Sequence, residues 1–226
     1  MIRLSGIRDT AIAVFGLGRS GLSAARALHA SGADVRAWDD APARRAEAEA
    51  AGVPLVDLHA ADFTRIATLV LAPGIPHAHP EPHPVAARAR AAGCEIVGDI
   101  ELLGRAAPQA RYIGVTGTNG KSTTTALIGH LLGEAGMDTR VGGNLGPPVM
   151  DFAPVGPETA VVLEMSSYQL ERTASVPFAV AVLLTISPDH LDRHGGMPGY
   201  IAAKRRIFAH PPAGATAVVG VDDPVC

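Results

Sequence analysis

Two short glycine-rich segments, each set between an apolar run and a helix-like stretch, constrain this chain more than anything else in it. The first is Gly16-Leu17-Gly18-Arg19-Ser20-Gly21; the second is Gly114-Val115-Thr116-Gly117-Thr118-Asn119-Gly120-Lys121-Ser122-Thr123. Around them apolar runs and helix-like stretches alternate, and that alternation is the mark of an α/β protein with a mainly parallel sheet. The segments 10–15, 34–38, 68–71, 95–97, 112–116, 139–141, 160–164, 179–184 and 215–219 read as strands. The segments 20–30, 42–51, 85–92, 121–135 and 198–208 read as helices.

The second glycine segment has the composition of a phosphate cradle. Closely spaced glycines let backbone N–H groups turn inward around an anion, a lysine reaches the outer phosphates, and a serine hydroxyl suits a magnesium ion. The helix that follows aims its positive end at the same anion. Gly117, Thr118, Asn119, Gly120, Lys121, Ser122 and Thr123 are therefore the candidate ATP-binding residues. The loop is a variant, because Val115 stands where a strict Walker A motif has its first glycine, and Gly114 and Gly117 appear instead. An ordinary Gly/Thr turn before a helix is the plain alternative.

The first segment fits a dinucleotide fingerprint, and Asp39 lies about twenty residues on, where an acidic residue meets a ribose. The motif itself shows only that a diphosphate can sit on a helix N-terminus. A nicotinamide dinucleotide, a UDP group, or close helix–strand packing with no ligand would each satisfy it. A small-residue stretch at 104–109, containing Pro108, separates the two halves. The expected architecture is a Rossmann-like parallel-sheet domain over 1–107 and a P-loop ATPase-type α/β domain, incomplete, over 108–226.

Other polar residues fall at strand ends. Glu164 closes the apolar run 160–164, where an acid helps hold magnesium in phosphate-loop proteins or caps a helix. Ser166 and Ser167 follow, as caps or ligand contacts. Asp189-His190-Leu191-Asp192-Arg193-His194 comes after the run 179–184, at the sheet end where open α/β proteins bind ligands. His190 is a candidate metal ligand, although histidine usually suits softer ions than magnesium. Lys204, within Ala202-Ala203-Lys204-Arg205-Arg206, reads by composition as part of a solvated basic face. Asn144, in the turn Gly142-Gly143-Asn144-Leu145-Gly146, either orients a ligand or steadies the turn. The proline-rich segment 73–84 is a loop, and its His77, His79 and His83 read as solvated loop residues rather than a metal site.

Composition excludes several classes. With 47% apolar residues, 18% charged residues and a net charge of −3, the chain has a core but no surface for nucleic acid. Its two cysteines, Cys94 and Cys226, do not make a disulfide framework. No apolar stretch approaches the roughly 18 residues needed to span a bilayer. A cytoplasmic monomer with no membrane partner is expected. The sequence stops at Cys226 soon after the last strand, so it is expected to be a piece of a longer chain.

These residues together resemble the Mur ligases of peptidoglycan synthesis. The likeness runs through Gly16 to Gly21, Gly98-Asp99-Ile100-Glu101-Leu102, Gly114 to Thr123, Leu163-Glu164-Met165-Ser166-Ser167-Tyr168-Gln169-Leu170, Asp189 to Arg193 and Tyr200 to Lys204. It covers nearly the whole chain in one register. The phosphate loop also marks folylpolyglutamate synthases, while the first glycine motif and the Gly-Asp-Ile-Glu-Leu stretch favour the D-glutamate-adding branch. The resemblance implies an ATP- and Mg2+-dependent, ADP-forming ligation of D-glutamate to UDP-N-acetylmuramoyl-L-alanine through an acyl phosphate, in service of cell-wall growth and division.

By the same resemblance Lys121, Glu164, His190 and Lys204 are catalytic, and Ser122, Glu164, His190 and a carbamylated Lys204 hold magnesium. Gly18, Arg19, Ser20, Asp39, Gly74 and Asn144 fall at UDP-substrate positions. Three positions depart from the family pattern: Ala72 replaces a frequent serine, and Asp40 and Ala41 replace a threonine and an arginine near the uridine. The family's C-terminal domain and part of its central domain are absent, so this piece alone is expected to be inactive. The rival readings are a nicotinamide-dependent oxidoreductase and a non-catalytic nucleotide-binding module.

Overall fold

Apolar runs such as 12–15 and 160–164 become strands because both of their faces are covered, the condition a parallel sheet imposes. The computed structural model describes residues 1–222 and 225–226. The chain divides into Met1–Ala106 with Pro148–Pro154, and Ala107–Pro147 with Val155–Cys226. Each unit carries one such sheet.

The first unit runs β1 (Ala11–Phe15), α1 (Arg19–Ala30), β2 (Asp34–Trp38), α2 (Pro42–Ala50), β3 (Thr68–Leu71), α3 (Pro84–Ala91), β4 (Glu95–Val97) and α4 (Asp99–Ala106). Its parallel sheet has the order β2-β1-β3-β4, and the strand order reverses between β1 and β3. Phe15 pairs with both Trp38 and Leu71. It packs in a core with Leu58, Leu69, Leu71, Val85 and Ala89. Helices α2 and α3 both begin with proline, which has no N–H to leave unsatisfied in the first turn. Glycine is obligatory at 21, because a Cβ there would lie 1.8 Å from the carbonyl oxygen of Gly16.

Helix α4 was not foreseen. The small residues after Gly104 read as a boundary, yet Asp99 and Glu101 in the first turn and Arg105 in the last suit the helix dipole. Glu101 is fully buried and accepts from Arg105 Nε at 2.9 Å, one turn along. The same guanidinium donates to Glu95 at 2.5 Å. The segment Pro148–Pro154 also joins this unit. Val149 and Met150 are fully buried, their turn touches α1 and α4, and Ile2 N–H donates to the Met150 carbonyl at 2.8 Å.

The second unit runs β5 (Arg111–Thr116), α5 (Lys121–Glu134), β6 (Thr139–Gly143), β7 (Ala160–Glu164), α6 (Ser167–Leu170), β8 (Phe178–Leu183), α7 (Leu191–His194), α8 (Met197–Arg205) and β9 (Thr216–Val219). The order β6-β7-β5-β8-β9 is parallel throughout. It puts the glycine loop after the central strand, with the C-terminal ends of β7 and β8 on either side. Gly114 is not part of that loop. It lies inside β5, where a Cβ would meet the Phe178 ring at 2.7 Å, so its role is packing. The helix expected over 198–208 is divided: α8 ends at Arg205 and a 3-10 turn covers 206–208. Among the described residues no helix is long and apolar enough to cross a membrane.

Candidate functional site

The loop from Gly117 to Gly120 is held against the chain leaving β8. Thr118 N–H donates to the Thr185 carbonyl at 2.7 Å, and Asn119 N–H donates to Thr185 Oγ1 at 3.2 Å. Thr118 Oγ1 donates to the Ser187 carbonyl at 3.1 Å and stands 3.0 Å from the Tyr200 hydroxyl. Gly117 (φ 148°) and Gly120 (φ 83°) take backbone angles that side chains rarely adopt. Gly120 is the N-cap of α5 and supplies no capping side chain. The amides of the first helical turn therefore lack a side-chain acceptor, the condition in which a helix start receives an anion. Ser122 and Thr123 are exposed there.

Two lysines converge on this loop. Lys121 Nζ donates to the Thr118 carbonyl at 2.8 Å. Lys204 Nζ donates to the Gly117 carbonyl at 2.7 Å and lies 4.6 Å above the Tyr200 ring. Lys204 is only 2% exposed, so the expected solvated basic face is wrong at this residue. Burial first, then the charge of Lys121, pushes its amine down to about 8, against the opposing pull of Asp189.

Glu164, at the end of β7, is 2% exposed. Its Oε1 accepts from Asn144 Nδ2 at 2.8 Å, and the Asn144 N–H donates to the Glu164 carbonyl at 2.9 Å. The glycine turn exists to allow this: at Gly143 (φ 100°) a Cβ would lie 2.3 Å from the Glu164 carbonyl oxygen. The other carboxylate oxygen, Oε2, is buried with no hydrogen-bond partner. A buried anionic oxygen left without a donor suits a hard cation such as magnesium. Among the described residues no group of three or more His, Cys, Asp or Glu side chains converges to hold a metal. Magnesium here would draw its remaining ligands from a serine hydroxyl, phosphates and water, as this ion usually does.

Lys121, Asn144, Ser166, Ser167, Tyr168, Asp189, His190, Tyr200 and Lys204 line one cleft of about 120 Å3. His190 enters it from a left-handed backbone (φ 51°), a conformation that costs energy in a non-glycine residue. Its Nε2 is 3.4 Å from Asp189, and its ring lies 5.1 Å from that of Tyr168. Ser166 and Gln169 form a reciprocal capping box that starts α6, while Ser167 faces His194, a buried residue to which the sequence reading gave no role of its own.

In the first unit the glycine turn after β1 is partly open. A Cβ on Gly18 would meet nothing within 4 Å, so that glycine answers no packing need and leaves room for a ligand. Both carboxylate oxygens of Asp39 are engaged in shaping the turn: Leu17 N–H donates at 2.6 Å and Ala41 N–H at 2.8 Å. Arg19 is exposed, Ser20 is half-buried at the start of α1, and Gly74 is exposed beyond β3. The departure at Asp40 has a structural counterpart. Its carboxylate lies 2.7 Å from His59 Nε2 and 3.1 Å from His83 Nε2, and the His83 ring is 4.5 Å from that of Phe15. His83 also caps α3, so it is not the solvated loop residue expected.

Two parallel α/β units, one with a Rossmann-like turn and one with a P-loop, define a nucleotide-binding protein of two α/β modules. The family model for the Mur ligase MurD-like N-terminal domain matches residues 10–98, and that for the Mur ligase middle domain matches 115–226. The chain belongs to the Mur ligase family. A UDP-N-acetylmuramoylalanine–D-glutamate ligase of Caulobacter vibrioides is 56% identical over 232 residues, covering 100% of this chain and 49% of that protein. The enzyme of the same name from Brucella abortus is 45% identical over 230 residues, again covering 100% of this chain and 49% of its own length. The chain thus spans about half the length of the curated relatives it matches. Its fold is like that of the UDP-N-acetylmuramate:L-alanyl-gamma-D-glutamyl-meso-diaminopimelate ligase from Neisseria meningitides. The TM-score is 0.61 at 17% identity, covering 96% of this chain and 72% of the other.

Proposed function

We propose that this chain is the nucleotide-handling part of a cytoplasmic, monomeric, ATP-dependent ligase. The enzyme joins D-glutamate to UDP-N-acetylmuramoyl-L-alanine through an acyl phosphate and releases ADP. One observation carries the reading: two lysines meet at an uncapped glycine loop in the same sheet whose neighbouring strand ends in the orphaned Glu164 oxygen. Phosphoryl transfer asks a protein for such fixed charges more than for covalent chemistry. The choice of substrates follows the resemblance and the names of the relatives.

In this reading the amides of 117–123 and the Lys121 ammonium hold the triphosphate. Ser122 and Glu164 hold a magnesium ion, which neutralises phosphate charge when bound. His190 and a carbamylated Lys204 stand ready for a second ion. Carbon dioxide adds only to a neutral amine, and the depressed Lys204 supplies one near neutral pH. Asn144 keeps Glu164 oriented and reaches the substrate. Gly18, Arg19, Ser20 and Gly74 receive the UDP group, with Asp39 fixing the turn beneath it.

Calorimetric titration with UDP-N-acetylmuramoyl-L-alanine and with Mg2+-ATP tests the reading. Saturable binding of both by folded protein is expected. Absence of either, or binding of NADH in their place, overturns it.

A further inference from the structure

From Ser167 on the wall of the cleft in the second unit runs a three-residue chain that none of the roles above uses. His194 Nδ1 lies 2.7 Å from Glu171 Oε1, and His194 Nε2 lies 2.9 Å from Ser167 Oγ. The imidazole is completely buried, whereas the Glu171 side chain keeps 19% exposure. Tyr168 stacks on the imidazole with centroids 5.4 Å apart and planes at 23°, and the Tyr200 ring is 5.4 Å away. Arg193 lies 4.6 Å from the centre of the Tyr168 ring. Burial raises both phenols, so they stay neutral where the ligase would work.

This geometry fixes the direction of the hydrogen bonds. An ionised carboxylate only accepts, so the proton sits on Nδ1 and points at Glu171. Nε2 is then an acceptor for the Ser167 hydroxyl. The serine proton is turned toward the imidazole, and the lone pairs of Oγ are left for the cleft, whose wall Ser167 forms with Lys121 and Lys204. Hydroxyl, imidazole and carboxylate in that sequence are how proteins draw the proton off a serine hydroxyl.

An amide ligation has a use for it. An amino acid arrives as an ammonium ion, which has no lone pair with which to attack. We propose that Ser167, His194 and Glu171 form a proton relay that takes the proton from the attacking amine, an inference resting on the ligase reading above. The ammonium N–H bond breaks as its proton passes to Ser167 Oγ, and the serine's own proton passes to His194 Nε2. Glu171 holds the resulting imidazolium. The freed nitrogen lone pair forms the C–N bond at the acyl carbon, and phosphate departs with the electrons of the broken C–O bond and takes up the second N–H proton. Ser167 touches the amine, while His194 and Glu171 act through it.

The test uses the full-length protein that contains this chain and two nucleophiles. Hydroxylamine is already unprotonated at neutral pH and traps an acyl phosphate as a hydroxamate without needing a base; D-glutamate needs one. In Glu171→Gln, which keeps the shape but removes the negative charge that holds the imidazolium, amide formation is expected to fall about 100-fold or more. Hydroxamate formation should survive, and His194→Gln should show the same split. Parallel loss of amide and hydroxamate, or no loss of amide formation in Glu171→Gln, overturns the relay. If the unmodified protein makes neither product, the ligase reading fails together with it.

Discussion

The Lys204 ammonium and the Gly117 carbonyl are joined at 2.7 Å across 87 residues of sequence, so α8 and the phosphate loop share one buried hydrogen bond. The folded chain releases the Lys204 proton near pH 8, the unfolded chain near 10.5. Between these values the unfolded state binds more protons, so stability rises with pH across that window and is lowest below it. Lys204→Met should abolish that rise, as read from urea unfolding of metal-free protein at either end of the window. On the proposed function, Lys204→Ala in the full-length protein should lose turnover and regain part of it with added short carboxylic acids.

Lys121 Nζ donates to the Thr118 carbonyl in the loop proposed to hold the triphosphate. Lys121→Ala should remove most turnover of the full-length protein while leaving affinity for the UDP-substrate almost unchanged. Calorimetry with each ligand separately checks this.

Glu164 keeps one oxygen satisfied and one bare. In metal-free protein Glu164→Gln should leave stability unchanged or raise it by about 1 kcal/mol, because a buried carboxylate oxygen without a donor is replaced by part of a neutral amide. The rise in melting temperature produced by Mg2+ with nucleotide, a linkage effect, should disappear in the variant.

Gly143 carries the Asn144 turn past the Glu164 backbone. Gly143→Ala combines a positive φ with a 2.3 Å clash against a backbone oxygen that has no freedom to move aside. A loss of about 1–3 kcal/mol or more is expected in thermal unfolding.

Cys94 is buried and its thiol is pushed up to about 11, chiefly by desolvation. Thiolate is the reactive form, so Cys94 should resist iodoacetamide at pH 8 until the protein unfolds. The exposed Cys226 should be labelled at once.

Local pattern made much of this legible. Apolar runs such as Ala160–Leu163 read as interior strands and are so, and the glycine spacing after β5 announced the turn that starts α5. Lys204 was hidden because two arginines follow it. The signal against a solvated face was Tyr200, one helical turn earlier, which shares its buried side of α8. His194 and Ser167 stand 27 residues apart, and no spacing rule connects a histidine in a four-residue helix to a serine in another. Helix α4 was missed because the small residues after Gly104 outweighed its local Glu101–Arg105 pair, and its second partner, Glu95, meets Arg105 only through the fold.

The return of Pro148–Pro154 to the first unit sets an order of events during synthesis. Val149 and Met150 fill space against α1 and α4, so residues 1–106 emerging from a ribosome carry an unfinished interior. That interior closes only after β5, α5 and β6 have also been made. A truncation at the apparent boundary near residue 106 would therefore yield an aggregation-prone half rather than a free-standing module.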